Sequence, residues 1–427
     1  MVAIGLLDIP PEIQLEIAEF AETSQGSTQT LKALSLTSRS LRRIAQSVLF
    51  KTYNIYLRKE LRVSIDGLLA NPQICAAIRN LRLWGDRNLG ANAPRNDEEK
   101  LSRIKELFTK TTGLRAVHIS NVHLSKMFID AVLEMATKST LEVTLFGNKY
   151  PPGTTPNMPL RITVLGLDAA ADINFYYSIL CASAATLTEL RMRPTGDALM
   201  TLAGIELPTL YSLTLGTQTI GSEVFGMNAS AFITAQRTIR KLDLYCQIGP
   251  LPPDALPNLR ELIASNEQVK QLVPGRPVEA IVVTSYQGND RNLFMEEYTR
   301  STAVVRKLSF EQVTTLDTGT VEQMVAILPS LERLWLRVFP DVSGPFDPYL
   351  DSFSFRHYST SSMSSLPSSA SRTYTFICFM ANSKHAKITT SAPLRLIFEK
   401  QIYVSHFSRF VKAVGWRERA PIFRGEC

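Results

Sequence analysis

LTELRM, residues 187–192, reads apolar-x-x-apolar-x-apolar. Leu190 and Met192 alternate with polar neighbours, as a half-buried strand requires, and Leu187 packs in from the preceding turn. The unit recurs as IRNLRL at 78, LRAVHI at 114, LYSLTL at 210, IRKLDL at 239, LRELIA at 259, VEAIVV at 278, VRKLSF at 305 and LERLWL at 331. Weaker copies, LEVTLF at 141 and LRITVL at 160, fall in the gaps. Successive starts lie between 19 residues apart (259 to 278) and 36 apart (78 to 114). Self-similarity on this scale marks stacked repeats, each of which needs its neighbours to bury its apolar face.

Helix-compatible stretches lie between copies, for example EEKLSRIKELFTK (98–110) and SKMFIDAVLEMAT (125–137). One strand and one helix per repeat predict an α/β solenoid over residues 78–340, with a curved parallel sheet on its inner face. The pattern resembles leucine-rich repeats. It departs from them at the asparagine expected three residues after the sixth position, where Asp86, Val122, Thr195, Gln218, Gln247 and Phe339 stand instead. The expected solenoid is therefore irregular. An ordinary α/β domain with several leucine-rich strands is the competing reading.

On the solenoid reading, the polar strand positions share one face. Trp84, His118, Arg191, Arg193, Asp243, Tyr245, Trp335 and Arg337 would project there. Taken singly, each also fits a solvated strand residue. As a set they form the expected substrate-binding surface, because Trp, Tyr and Arg are the usual anchors of protein recognition.

Upstream, DIPPEIQLEIAEFAE (8–22) reads as a helix beginning at its prolines, which suit a first turn where a missing N–H costs nothing. Ile13, Ile17 and Phe20 form a stripe at i, i+4 and i+7, while Leu15 points elsewhere. A polar loop, TSQGSTQ (23–29), leads to TLKALSLTSRSLRRIAQSVLF (30–50), read as one further helical segment with Ser38 interrupting its apolar stripe. So small a unit buries little surface, yet both helices carry apolar residues beyond one face. Either they cap the following domain or they meet another protein.

IPPEIQLEIAEF followed by TLKALSLTSRSLRRIAQ resembles an F-box, whose pattern runs Leu-Pro-x-Glu-Ile/Leu, Leu-x-x-Leu, then Ser-Arg and an apolar residue. Ile9-Pro10-Pro11-Glu12-Ile13 matches the first element, with Ile9 replacing leucine. Leu31, Leu34, Leu36, Ser38, Arg39 and Leu41 match the second, with Leu41 where tryptophan is often found. An F-box followed by degenerate leucine-rich repeats is an arrangement common in fungi. The resemblance implies docking on the Skp-type adaptor of a cullin–RING ubiquitin ligase through Pro10, Ile13, Ile17, Leu31, Leu34, Leu36 and Leu41. The implied role is the substrate-recognition subunit of an SCF-type (Skp–cullin–F-box) ligase. A leucine-rich scaffold, or an F-box adaptor unconnected with ubiquitylation, is the alternative.

The organisation expected is thus an F-box module (1–57), a connecting segment (58–77), the repeats (78–340), and a Ser-rich then basic tail (341–427) whose composition reads as disordered. TYTFICFMAN (373–382) has strand composition without a following repeat. The net charge is +7, but residues 353–427 hold 11 Lys/Arg against 3 Asp/Glu, and the rest of the chain holds 35 against 36. The body therefore has no electrostatic case for binding nucleic acid. No apolar run reaches the length of a membrane span. MVAIGLLDIPPE has no basic n-region, so no secretory signal is expected. Compartment stays open between cytosol and nucleus.

The five cysteines lie far apart, with no CxxC pair and no histidine cluster at metal-ligand spacing, so neither metal nor cofactor is expected. GxxxxGK, GxSxG, HExxH and strand-linked GxGxxG are all absent, and the chain reads as non-catalytic.

Overall fold

The structure is a computed structural model. It describes residues 9–22, 27–57, 62–85, 98–148, 153, 155–168, 173–216, 223–284, 295–313, 324, 326–338 and 373–378. The chain divides into two compact units: Met1–Ile239 with Cys246–Pro250, and Arg240–Tyr245 with Leu251–Cys427.

The first unit opens with three helices, α1 (Pro11–Glu22), α2 (Ser27–Thr37) and α3 (Arg39–Leu49). The segment expected to be one helix over 30–50 is two, because Ser38 takes extended backbone (φ −153°, ψ 164°) and its hydroxyl accepts the Leu41 N–H at 3.1 Å. A serine with this geometry is an N-cap: it ends one helix by starting the next. Ala18, Leu31, Ala45 and Val48 form the small core of the three helices, with Leu34, Ile44 and Leu49 packed partly against it.

The array then begins with β1 (Thr52–Tyr56), inside the stretch expected to belong to the helical module. It is followed by α4 (Arg62–Leu69) and α5 (Pro72–Ala77), both in the expected connecting segment. Next come β2 (Asn80–Trp84), α6 (Glu98–Lys110), β3 (Ala116–Ser120), α7 (Lys126–Lys138), β4 (Leu141–Phe146) and β5 (Ile162–Asp168). α8 (Ile173–Ser183), β6 (Glu189–Arg193), α9 (Gly196–Leu202), β7 (Ser212–Gly216) and α10 (Glu223–Ala235) complete the unit. Strands β1 to β7 pair in sequence order, every pair parallel. Parallel neighbours need a crossover between them, and helices supply it except between β4 and β5, where the described residues hold no helix.

Register sets the faces. Leu81, Val117, Val143, Leu165, Leu190 and Leu213 lie side by side, and two residues on so do Leu83, Ile119, Leu145, Leu167, Met192 and Leu215. All are buried. The helices close this layer with residues at i, i+3 and i+4, such as Phe128, Val132 and Ala136 on α7, or Phe175, Tyr176, Ile179 and Leu180 on α8.

Ladder register also corrects the alignment of the weak repeats. β4 matches its neighbours through Val143 and Leu145, so its copy begins at 140, not 141. β5 matches through Leu165 and Leu167, so its copy is ITVLGL at 162. In the corrected frame Asn148 stands at the repeat asparagine position, which the sequence copies lacked. Asn148 is fully buried; its Nδ2 donates to the Ile119 carbonyl at 2.8 Å and its Oδ1 accepts the Val122 N–H at 2.8 Å. Elsewhere hydroxyls ahead of the strand bind the previous turn. Thr186 donates to Ile162 O (2.9 Å), Thr209 to Leu187 O (2.9 Å) and Thr238 to Leu210 O (2.8 Å). Carbonyls withdrawn from water at a turn are expensive unless paired, and in these three repeats a threonine hydroxyl pairs them.

The second unit continues the pattern with β8 (Lys241–Tyr245), β9 (Glu261–Ala264), α11 (Asn266–Leu272), β10 (Ala280–Val283), α12 (Met295–Thr299), β11 (Lys307–Val313), β12 (Arg333–Val338) and β13 (Thr373–Cys378). From β8 to β13 each strand pairs in parallel with the next. β13 is the TYTFIC segment, paired with β12 across residues 339–372, which are not among those described. The rest of the expected tail likewise lies outside the described residues. The unit's fixed point is Arg276. Its guanidinium is buried and donates to the carbonyls of Ala255 (2.9 Å), Pro252 (2.9 Å), Leu272 (3.1 Å) and Gln271 (3.2 Å). Two of those carbonyls belong to the C-terminal turn of α11, where a cation is favoured.

Candidate functional site

Two surfaces of the first unit carry most of the residues singled out above, and four more are on the second unit. The first is the outer side of α1 and α2. α1 turns Gln14 and Ala18 inward, with the Gln14 Nε2 donating to the Ile9 carbonyl at 2.7 Å. Its apolar stripe therefore faces out: Ile13, Ile17 and Phe20 are exposed, Phe20 by 78%. On α2, Leu36 is also 78% exposed. Pro10 is exposed and Leu34 half-buried. Two of the expected docking residues are placed otherwise. Leu31 is 1% exposed and Leu41 6%, because both face the other helices of the module and hold it together. Phe20 and Leu15, which the F-box pattern did not select, join the exposed set.

The second surface is the solvent side of β2–β6. Residues alternate along a strand, so the partners of the buried leucines point outward. Trp84 on β2 and His118 on β3 have ring centroids 5.1 Å apart, and Phe146 on β4 meets His118 edge-on at 6.3 Å. The Arg193 guanidinium on β6 lies 5.9 Å from the Phe146 centroid, within cation–π range. Between them β5 contributes Gly166. A Cβ there would sit 2.8 Å from Thr144 Cγ2 and 3.2 Å from Phe146 Cζ, so any larger residue would press on both side chains where glycine leaves them room. His118 is half-buried, and its pKa is held below the ordinary value chiefly by burial and secondly by the Arg82 charge. It is therefore a neutral ring in this row. Arg191 is committed to Glu189, 2.5 Å away. Phe146 and Gly166 escaped the sequence reading; strand spacing alone gave no hint that a phenylalanine at the end of a misaligned copy would join Trp84 and Arg193.

The remaining four expected substrate residues are on the second unit. Asp243 and Tyr245 are on β8, and Tyr245 is exposed at its ring, with its hydroxyl pKa raised by partial burial and by the charges of Asp243 and Glu311. Trp335 on β12 is exposed. Arg337 is on β12, and its side chain lies outside the described residues. These four lie on the second unit and the four above on the first.

Among the described residues no group of three or more His, Cys, Asp or Glu is placed to hold a metal ion, and no helix is long and apolar enough to cross a membrane. Cys75 and Cys246 are buried with raised thiol pKa values, that of Cys246 pushed up to about 12 by burial. Thiols so placed are poor nucleophiles.

No family model matches the chain, and no curated protein matches its sequence. Among solved structures, it is similar to the yeast Rad7 and Elc1 complex, at 13% identity and a TM-score of 0.42, over 78% of this chain and 90% of that one. A second likeness is to a TLR13–ssRNA13 complex, at 12% identity and a TM-score of 0.22, over 67% of this chain and 52% of that one. Both scores are low, and neither speaks to a partner.

Proposed function

We propose that this chain is a non-catalytic, substrate-recruiting subunit of an SCF-type ubiquitin ligase, acting in the cytosol or the nucleus. The observation that carries the reading is the outward apolar stripe of α1, joined by Leu36 of α2. Burying one such side chain is worth about 1.5–3 kcal/mol, so several left in water on a small module mark a surface made for a partner. On this reading Pro10, Ile13, Ile17 and Leu36 meet the Skp-type adaptor, and through it the cullin. Leu31 and Leu41 hold the helices that present them. The repeats select the target. The subunit's contribution is proximity and orientation, with no metal, cofactor, nucleic acid or membrane involved.

The test is co-purification of the full-length chain with the Skp-type adaptor, beside an Ile13→Asp/Ile17→Asp variant. Both positions are exposed, so the variant is expected to keep its circular dichroism spectrum while losing the adaptor. Soluble, folded wild-type chain that fails to retain the adaptor would overturn the ligase reading and leave a leucine-rich scaffold.

A further inference from the structure

The outer side of β2–β6 is uneven in charge. In strand register its carboxylates Glu142 and Glu189 share the row nearest the strand N-termini. Among the described residues the two following rows hold Arg82, Arg191 and Arg193, and their one carboxylate, Asp168, is buried and accepts the Gly147 N–H. Arg191 is neutralised by Glu189. Arg82 and Arg193 have no carboxylate partner among the described residues, and both are exposed. Between them runs the ring ridge of Trp84, His118 and Phe146, each ring only partly covered.

We propose that this ridge binds an extended peptide segment carrying an anionic side chain at each end and an apolar side chain between them. The proposal rests on the recruiting role above and names the class of target. Its dimensions follow from the sheet. β2 and β6 are four strand spacings apart, about 19 Å, which an extended chain covers in about six residues. A guanidinium at each end forms paired charge-assisted hydrogen bonds with a carboxylate or a phosphate. The rings between offer apolar faces to the middle of the segment. Gly166 is the positioning residue, since it leaves room for Phe146 to bridge toward Arg193.

The experiment titrates the full-length chain into fluorescein-labelled hexapeptides and reads anisotropy. One peptide, Glu-Gly-Leu-Phe-Gly-Glu, carries carboxylates at its ends; a second carries phosphoserine there and a third lysine. A fourth brings its two glutamates to within three residues. Either end-anionic peptide is expected to bind at least tenfold tighter than the lysine peptide and to outbind the short-spaced one. Arg82→Glu and Arg193→Glu, surface changes that leave the fold intact, are each expected to weaken it about tenfold. Gly166→Val, with circular dichroism as control, is expected to weaken it without altering its salt dependence. Equal binding of all four peptides, or no binding, would overturn the proposal, as would indifference to both arginine changes. Adaptor capture is measured on the same preparations. Capture retained with no peptide selectivity sinks the ridge alone, and selectivity retained with no capture sinks the ligase reading alone.

Discussion

The three N-terminal helices and the strands that follow them use apolar residues in opposite ways. Along β2–β7 the leucines point into the sheet–helix layer and are almost wholly buried. On α1 the buried positions are a glutamine and an alanine, and the isoleucines and Phe20 face water. Both regions are amphipathic by pattern. Pattern alone therefore identifies a face without saying what covers it, and the difference separates apolar surface used for folding from apolar surface left exposed.

The sharpest way to break the comparison is to damage the inside of the repeats. Arg276→Ala removes the buried cation that donates to the main-chain carbonyls of Pro252, Ala255, Gln271 and Leu272, and an expected loss of roughly 4 kcal/mol follows from orphaned acceptors plus the cavity. Urea unfolding followed by circular dichroism reads it as a large fall in midpoint. Next comes the inside of the helical module. Leu31→Ala is expected to cost about 3 kcal/mol as a core truncation, and because its side chain is buried it is expected to lose the adaptor only by melting the helices. Amide exchange over residues 27–49 checks that cause. Asn148→Ala leaves the Val122 N–H and the Ile119 carbonyl without their partner, an expected loss of about 2 kcal/mol, whereas Asn148→Asp keeps the acceptor and loses the donor.

The outside of the module behaves the other way. Phe20→Ser and Leu36→Ser remove exposed side chains, so each is expected to change stability by less than about 0.5 kcal/mol while lowering adaptor capture. A loss of stability at either position would show that the stripe is covered within the chain, and the contrast with the strands would fail.

Much of this was legible in residue spacing. Strand units such as LTELRM and IRKLDL were found because their leucines alternate cleanly, and the parallel α/β reading follows from their repetition. What stayed hidden has particular causes. FKTYNI at 50–55 is a repeat in register with IRNLRL, but Tyr53 stands at the position that is leucine, valine or isoleucine in the stronger copies recognised by spacing. Asn148 was concealed by a one-residue slip in a strand whose pairing shifts between Leu141 and Glu142. Ser38 interrupts an apolar stripe in the sequence, and its capping role stays hidden there because capping is a matter of backbone angles that composition does not encode. Arg276 gives no sequence signal at all, because its partners are main-chain carbonyls. The ridge proposed to bind peptide is half visible in the sequence. Trp84, His118 and Arg193 were chosen as strand residues, but Phe146 and Gly166, which join them, act through contacts between strands.

The smallest expected effect concerns His118 and tests whether the ridge is as apolar as its rings suggest. Burial among Trp84 and Phe146, aided by Arg82, holds its pKa below the ordinary 6.5. The folded state then takes up the proton less readily than the unfolded state does, so protonation favours unfolding. Stability is fully present above the ordinary value and declines as pH falls below it toward the depressed one. Between pH 7.5 and 5 the urea midpoint of the wild-type chain is expected to fall by more than that of His118→Phe. That replacement keeps a ring against Trp84 and removes the titration. Identical pH slopes in the two proteins would show that His118 is solvated in both states, and the ridge would then lose the dry floor on which peptide recognition there depends.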